Sequence, residues 1–176
     1  MTMIELDYQF TDGGVFRRRR FFERHSDVLT DPELRYGALK AHLTFRVGDC
    51  DFIPYPAVGR YPVLDFADVM LFDLRLLLTQ SHTEFDFLEG EGEIWMDRKG
   101  ESVSVSSSGT PCVAVCGFDE LAIAFTAFGH RVVDDVKSIN PQIVDTAAFQ
   151  KIESRMFWSD VRDSDVPQQK HEQASD

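Results

Sequence analysis

Residues 94–105 read Ile94-Trp95-Met96-Asp97-Arg98-Lys99-Gly100-Glu101-Ser102-Val103-Ser104-Val105, and their reading decides the fold class. Ile94 and Met96 flank Trp95, and Val103 and Val105 alternate with serines, the period of two that belongs to half-buried strands. Between the two runs, Asp97-Arg98-Lys99-Gly100 supplies a hairpin turn with glycine where a positive φ is useful. On the N-terminal side, Phe85 and Phe87 alternate with Glu84 and Asp86. On the C-terminal side, Ser106 to Pro111 turns again. Cys112 to Cys116 and Leu121 to Phe128 then read as two apolar strands around Gly117-Phe118-Asp119-Glu120, the second ended by Gly129. Short strands at such regular spacing predict an antiparallel meander.

Further upstream, Ile4, Leu6, Tyr8 and Phe10 alternate with Glu5, Asp7 and Gln9, which predicts a first strand. Over residues 38–47, Leu39, Ala41, Leu43, Phe45 and Val47 face one way and Lys40, His42, Thr44 and Arg46 the other. Gly48 to Pro62 is a loop-rich connection with room for a short strand at Phe52-Ile53. Val63, Phe66, Ala67, Met70, Leu74 and Leu77 then recur at helical spacing, which predicts a helix over about 63–79 as the main one of the protein. Asp65, Asp68, Phe72 and Arg75 mark its more polar flank. Val132, Val133, Val136 and Ile139 fit a short helix stopped before Pro141, and Asp145 is placed to cap another running to Phe157. The expected organisation is one α+β domain over 1–158. It is an antiparallel β-sheet packed by one central helix and short C-terminal helices, with a disordered acidic tail over 159–176.

The chain has 176 residues, with 30 Asp and Glu against 18 Lys and Arg, a formal charge of −12. Such a chain repels nucleic acid and anionic lipid, so neither is an expected partner. Two acids within the first seven residues break the pattern of a secretory signal. The most apolar stretch, Val63 to Leu78, falls short of the roughly 20 residues of a membrane span and carries charges. A cytoplasmic protein is expected. Three cysteines, Cys50, Cys112 and Cys116, are an odd number and do not form a disulfide framework.

Cys112-x-x-x-Cys116 lacks the second ligand pair of a zinc site, and the intervening Val113-Ala114-Val115 reads as core, so both thiols are expected in the core and no metal is expected. His82 and His130, each at an element boundary, are the candidates for a general base. The serines of residues 102–108 lie outside any nucleophile elbow. Gly90-Glu91-Gly92-Glu93 carries carboxylates where a phosphate cradle needs none. No nucleotide-binding fingerprint occurs and no cofactor is expected. Among 30 acids, pairs such as Asp49/Asp51, Asp65/Asp68 and Asp134/Asp135 are expected by chance. Arg17–Arg20, flanked by Phe16, Phe21 and Phe22, is the one basic cluster and is expected to be self-neutralised.

The charge distribution carries the strongest functional signal. From Glu84 to Asp97 there are six acids, Glu84, Asp86, Glu89, Glu91, Glu93 and Asp97, and no Lys or Arg. Such a cluster costs stability through self-repulsion and attracts a basic partner. Fifteen phenylalanines exceed the evident needs of the core, so some rings are expected beside the acids as anchors. The Tyr61-Pro62-Val63-Leu64-Asp65-Phe66-Ala67 helix start, the acidic stretch and the meander together resemble the immunity proteins of bacterial polymorphic toxin and contact-dependent inhibition systems, mainly over residues 38–140. The resemblance implies a stoichiometric inhibitor that neutralises a cognate basic toxin domain, often a nuclease; the charge distribution makes the six acids the expected partner-binding residues. Two other classes compete: a small hydrolase or transferase with a His-carboxylate site, and an adaptor docking through Arg17–Arg20 and the tail.

Overall fold

A computed structural model describes residues 2–10, 32–37, 40–53, 60–87, 92–139 and 141–157. The chain is α+β, with eight strands and three α-helices among these residues. The strands are β1 (Ile4–Gln9), β2 (Lys40–Val47), β3 (Cys50–Asp51), β4 (Tyr61–Pro62), β5 (His82–Phe87), β6 (Gly92–Lys99), β7 (Ser102–Ser107) and β8 (Thr110–Gly117). The helices are α1 (Val63–Leu76), α2 (Phe118–Ile139) and α3 (Ala147–Met156), with a π-helical turn at Glu33–Gly37 and a 3-10 turn at Pro141–Asp145.

The strands form two antiparallel sheets. In the first, β2 pairs with β1 from Ile4↔Val47 to Gln9↔His42, and with β3 and β4 on its other edge. The second is the expected meander, β5-β6-β7-β8. Its β6–β7 hairpin turns at Gly100, whose φ of +63° is the left-handed conformation that glycine adopts without a Cβ clash.

Alternation aims Ala41, Leu43, Phe45 and Val47 of the first sheet, and Phe85, Phe87, Ile94, Met96, Val103 and Val105 of the second, into one core. The helices fill the space between. Phe66 of α1 meets Phe85 and Phe87 of β5 as well as Phe125 and Phe128 of α2, and Phe125 in turn meets Phe45 of β2. Aromatic pairs of this kind add about 0.5–1.5 kcal/mol each beyond their buried area.

Several expectations are corrected. Leu121–Phe128 is not a strand but the first half of α2, which continues through Gly129 into the helix expected at Val132 and, at 22 residues, exceeds the 14 of α1. Its buried positions, Leu121, Phe125, Phe128, Val132 and Val136, step by three or four, while Ile123 is 70% exposed. Helical period therefore wins over the local apolar run. The start is fixed by Glu120, whose Oε2 accepts from the Gly117 N–H at 3.3 Å, half of a capping box. Gly129 is needed for approach rather than termination, because a Cβ there would stand 2.8 Å from Leu71 Cδ1 of α1. At α3 the cap is Thr146, whose hydroxyl accepts from the Phe149 N–H at 3.3 Å, and not Asp145.

Of the polar flank assigned to α1, Asp65 and Asp68 are buried, whereas Arg75 is half-buried and Phe72 is exposed. Asp68 accepts a bidentate pair from Arg155 of α3 and a further hydrogen bond from Arg35 of the π-helical turn, and Asp65 accepts from Arg35 at 3.3 Å. Arg75 donates to the carbonyls of Arg155 and Met156 at the end of α3, where a helix runs out of its own N–H donors. Asp73 is buried as well, with Oδ2 unpartnered, and loss of hydration pushes its carboxyl up to about 7.

The cysteine expectation fails in part. Cys50 of β3 and Cys112 of β8 form a disulfide that ties the two sheets, with Cα atoms 5.8 Å apart. A crosslink over 62 residues limits the unfolded chain and is worth about 4 kcal/mol in the chain-entropy account. Cys116 is the buried core thiol expected. Val113 and Val115, expected in the core, are 63% and 58% exposed, because alternation turns them to the outer face of the sheet, over which no described element packs.

Candidate functional site

The second sheet has one dry face and one wet face. Register places the wet-face side chains in cross-strand rows: His82, Asp97, Ser104 and Val115 in one, Glu84, Trp95, Ser106 and Val113 in the next, then Asp86 opposite Glu93. Four of the six predicted acids, Glu84, Asp86, Glu93 and Asp97, thus stand together on a single surface. Glu89 and Glu91 lie outside the described residues, as do Arg17–Arg20 and the expected tail, residues 159–176.

The hydrogen-bond pattern tightens this cluster. The Arg98 N–H donates to the Ser81 carbonyl, so the ladder bonds of β5 and β6 fall at alternate rows beginning there. Rows 82/97, 84/95 and 86/93 are therefore non-hydrogen-bonded pairs, whose side chains approach more closely. In the first, His82 Nδ1 lies 2.8 Å from Asp97 Oδ1, an exposed hydrogen bond. In the last, Asp86 faces Glu93, a like-charge pair of the destabilising kind. Among the described residues no cation pairs with Glu84, Asp86 or Glu93. Of the basic side chains on these strands, His82 and Lys99 are on the wet face, whereas Arg98 turns inward to sit 4.0 Å over the Phe118 ring.

The face is divided. Acids occupy the β5 and β6 side. Trp95 stands half-buried in the middle, beside the short serines of β7, and the exposed Val113 and Val115 form the β8 side. Phe85 and Phe87 point into the core, away from Glu84 and Asp86, and among the described residues the aromatic neighbour of the acids is Trp95 rather than a phenylalanine. Strict alternation along β5 held that signal, since an acid and a phenylalanine at adjacent positions are on opposite faces.

The two histidines are not brought together. His82 is on the exposed sheet face, and His130 lies within α2, its ring stacked on Phe157 at 4.1 Å between centroids. A groove between the helices, lined by Leu71, Leu74, Arg75, Leu78, Phe118, Ala122, Thr126 and Met156, contains neither histidine and encloses about 60 Å³. Ligand sites run to about 300–1,000 Å³, so the groove admits no more than a side chain or a few waters. Among the described residues no group of His, Cys, Asp or Glu is arranged to hold a metal ion, and no helix is long and apolar enough to cross a membrane. Compared with known proteins, the chain matches no family, no curated protein and no solved structure.

Proposed function

We propose that this chain is a binding module that captures a basic protein partner on the wet face of β5–β8, acting as a stoichiometric inhibitor of a toxin domain in the manner of an immunity protein. The observation that carries the reading is the row Asp86–Glu93, with Glu84 beside it: three carboxylates held close on paired strands, with no cation of the described residues against them. That arrangement costs the isolated protein stability. Lysine or arginine side chains on a partner would remove the repulsion and be drawn in by the field of a chain at −12. Trp95 adds the large, half-apolar ring that recurs among the residues dominating protein interfaces, and Val113 and Val115 add apolar area without charge. Acids on an edge strand also keep that edge from pairing with other copies of the chain, a role compatible with capture.

The expected compartment is the cytoplasm, where a toxin's target would be protected. Disulfides are rare there, so the Cys50–Cys112 bond would be exposed to reduction.

The test is a comparative pulldown. Tagged wild-type chain and the variant Glu84→Lys/Asp86→Lys are incubated with lysate of the cells that encode it, and retained proteins are identified by mass spectrometry. The expected result is one basic protein in 1:1 ratio on the wild type, released by raised salt and absent from the variant. Retention of the same proteins by both, or of none by a folded wild type, overturns the reading.

A further inference from the structure

The wet face ends on β8, whose extensive support comes from β7 while its seam with the first sheet is thin. β8 pairs in its ladder with β7 alone, and a register shift at Ser106/Ser107 interrupts that ladder at its turn end. Toward the first sheet, the described hydrogen bonds are one from Thr110 Oγ1 to the Asp51 carbonyl at 2.9 Å and one from Thr2 Oγ1 to the Val115 carbonyl at 3.5 Å, near the limit for such a bond, beside the packing of β8 on β2, β3 and α2. The disulfide from Cys112 to Cys50 is the strong link, and Cys112 adjoins Val113 of the wet face.

We infer that the Cys50–Cys112 disulfide is a redox latch: oxidised, it holds β8 against the first sheet with Val113 and Val115 in place, and reduced by a dithiol, it frees β8 to open locally. The consequence for partner capture rests on the function proposed above. The opening of β8 does not.

The chemistry balances with a dithiol as the named reductant. Its thiolate attacks Sγ of Cys112, the Cys50 thiolate leaves and takes up a proton, and the second thiol of the reductant closes onto the first. Cys112 is released, the protein gains two electrons and two protons, and the reductant departs as a cyclic disulfide. Cys112 is the accessible end of the bond, being only partly buried where Cys50 is buried. Internal exchange does not compete. Cys116 lies four residues along the same strand, about 13 Å away at strand rise and beyond the reach of a disulfide without backbone movement. Burial, with Glu120 nearby, pushes its thiol up to about 11, which keeps it protonated and unreactive. The latch therefore has two states.

A seam between an edge strand and a second sheet that rests on few hydrogen bonds is a place where local opening can precede global unfolding. Linkage makes the effect reciprocal: a partner that binds the ordered face also protects the disulfide from reduction.

Amide hydrogen exchange of the full chain, followed by mass spectrometry with and without dithiothreitol, tests the latch without any partner. On reduction, peptides covering Thr110–Gly117 should exchange at least tenfold faster relative to those covering Val63–Leu76. The Cys50→Ala/Cys112→Ala variant should show the same pattern without reductant and no further response to it. Unchanged β8 exchange overturns the latch. So does equal acceleration of all elements, which marks the bond as a staple of the whole fold. Because the pulldown reads Glu84 and Asp86 on β5, each proposal can fail while the other survives.

Discussion

The molecule treats two groups of carboxylates in opposite ways. Asp65 and Asp68 are buried on α1 and answered by arginines from two other elements, Arg35 and Arg155, so that charge joins the π-helical turn, α1 and α3. Glu84, Asp86 and Glu93 are held close on an exposed sheet, and no cation of the described residues pairs with them. The first group is complete within the chain. The second is complete only when something else supplies positive charge, and that difference separates a structural cluster from a candidate binding surface. Asp73 is a third case, a buried carboxyl with Oδ2 unpartnered, whose environment is met by holding a proton.

The contrast breaks most visibly at Asp68. Asp68→Ala removes a fully buried carboxylate shared by two guanidiniums; Arg35 keeps Asp65 and the Arg155 side chain is 41% exposed, so the expected loss is about 3 kcal/mol, the low end for a broken buried pair, read as a fall in the urea midpoint. A loss below about 1 kcal/mol would equate Asp68 with a surface acid. At Asp73 the sign reverses. The native carboxyl releases its proton near pH 7 and the unfolded one near 3.8, so between those values the native state binds more protons. Stability therefore falls as pH rises through that window, and the penalty is complete above it. Asp73→Asn should exceed the wild type by roughly 2–4 kcal/mol at pH 8, with the advantage shrinking towards nothing near pH 4. Denaturation at the two pH values checks this, and an equal difference at both would exclude Asp73 as the source. The smallest effect belongs to the exposed group. Asp86→Lys turns the repulsion with Glu93 into attraction and should raise stability by about 0.2–1 kcal/mol, measurable as a higher thermal midpoint. Higher stability together with lost partner capture would be the mark of a residue kept for binding.

Much of this was legible along the chain. Period-two alternation gave β1, β2 and the β5–β7 rows, and the same alternation placed Glu84, Asp86, Glu93 and Asp97 on one face once strand pairing was known. What escaped was non-local or masked by composition. Nothing near Cys50 announces Cys112, because their meeting depends on two sheets coming together. Asp65 and Asp68 looked solvated, since their arginines lie 30 or more residues away in sequence. Leu121–Phe128 misled because Ala and Ile fill the exposed positions of α2, hiding the helical period that Leu121, Phe125 and Phe128 carry. Val113 and Val115 misled in the same way, being apolar residues on a face that no described element covers.

Phe66 shows how one side chain can report on the whole interior. Its ring has Phe85 and Phe87 on one side and Phe125 and Phe128 on the other, with centroid separations of 5.3 to 6.1 Å, and none of it is in appreciable contact with solvent. Turning that ring over requires its neighbours, which belong to a strand and a second helix, to draw apart together, because close-packed interiors leave no spare volume for the motion. The flip rate of the Phe66 ring, read from its proton line shapes, is therefore a clock for the breathing of sheet and helices as one body.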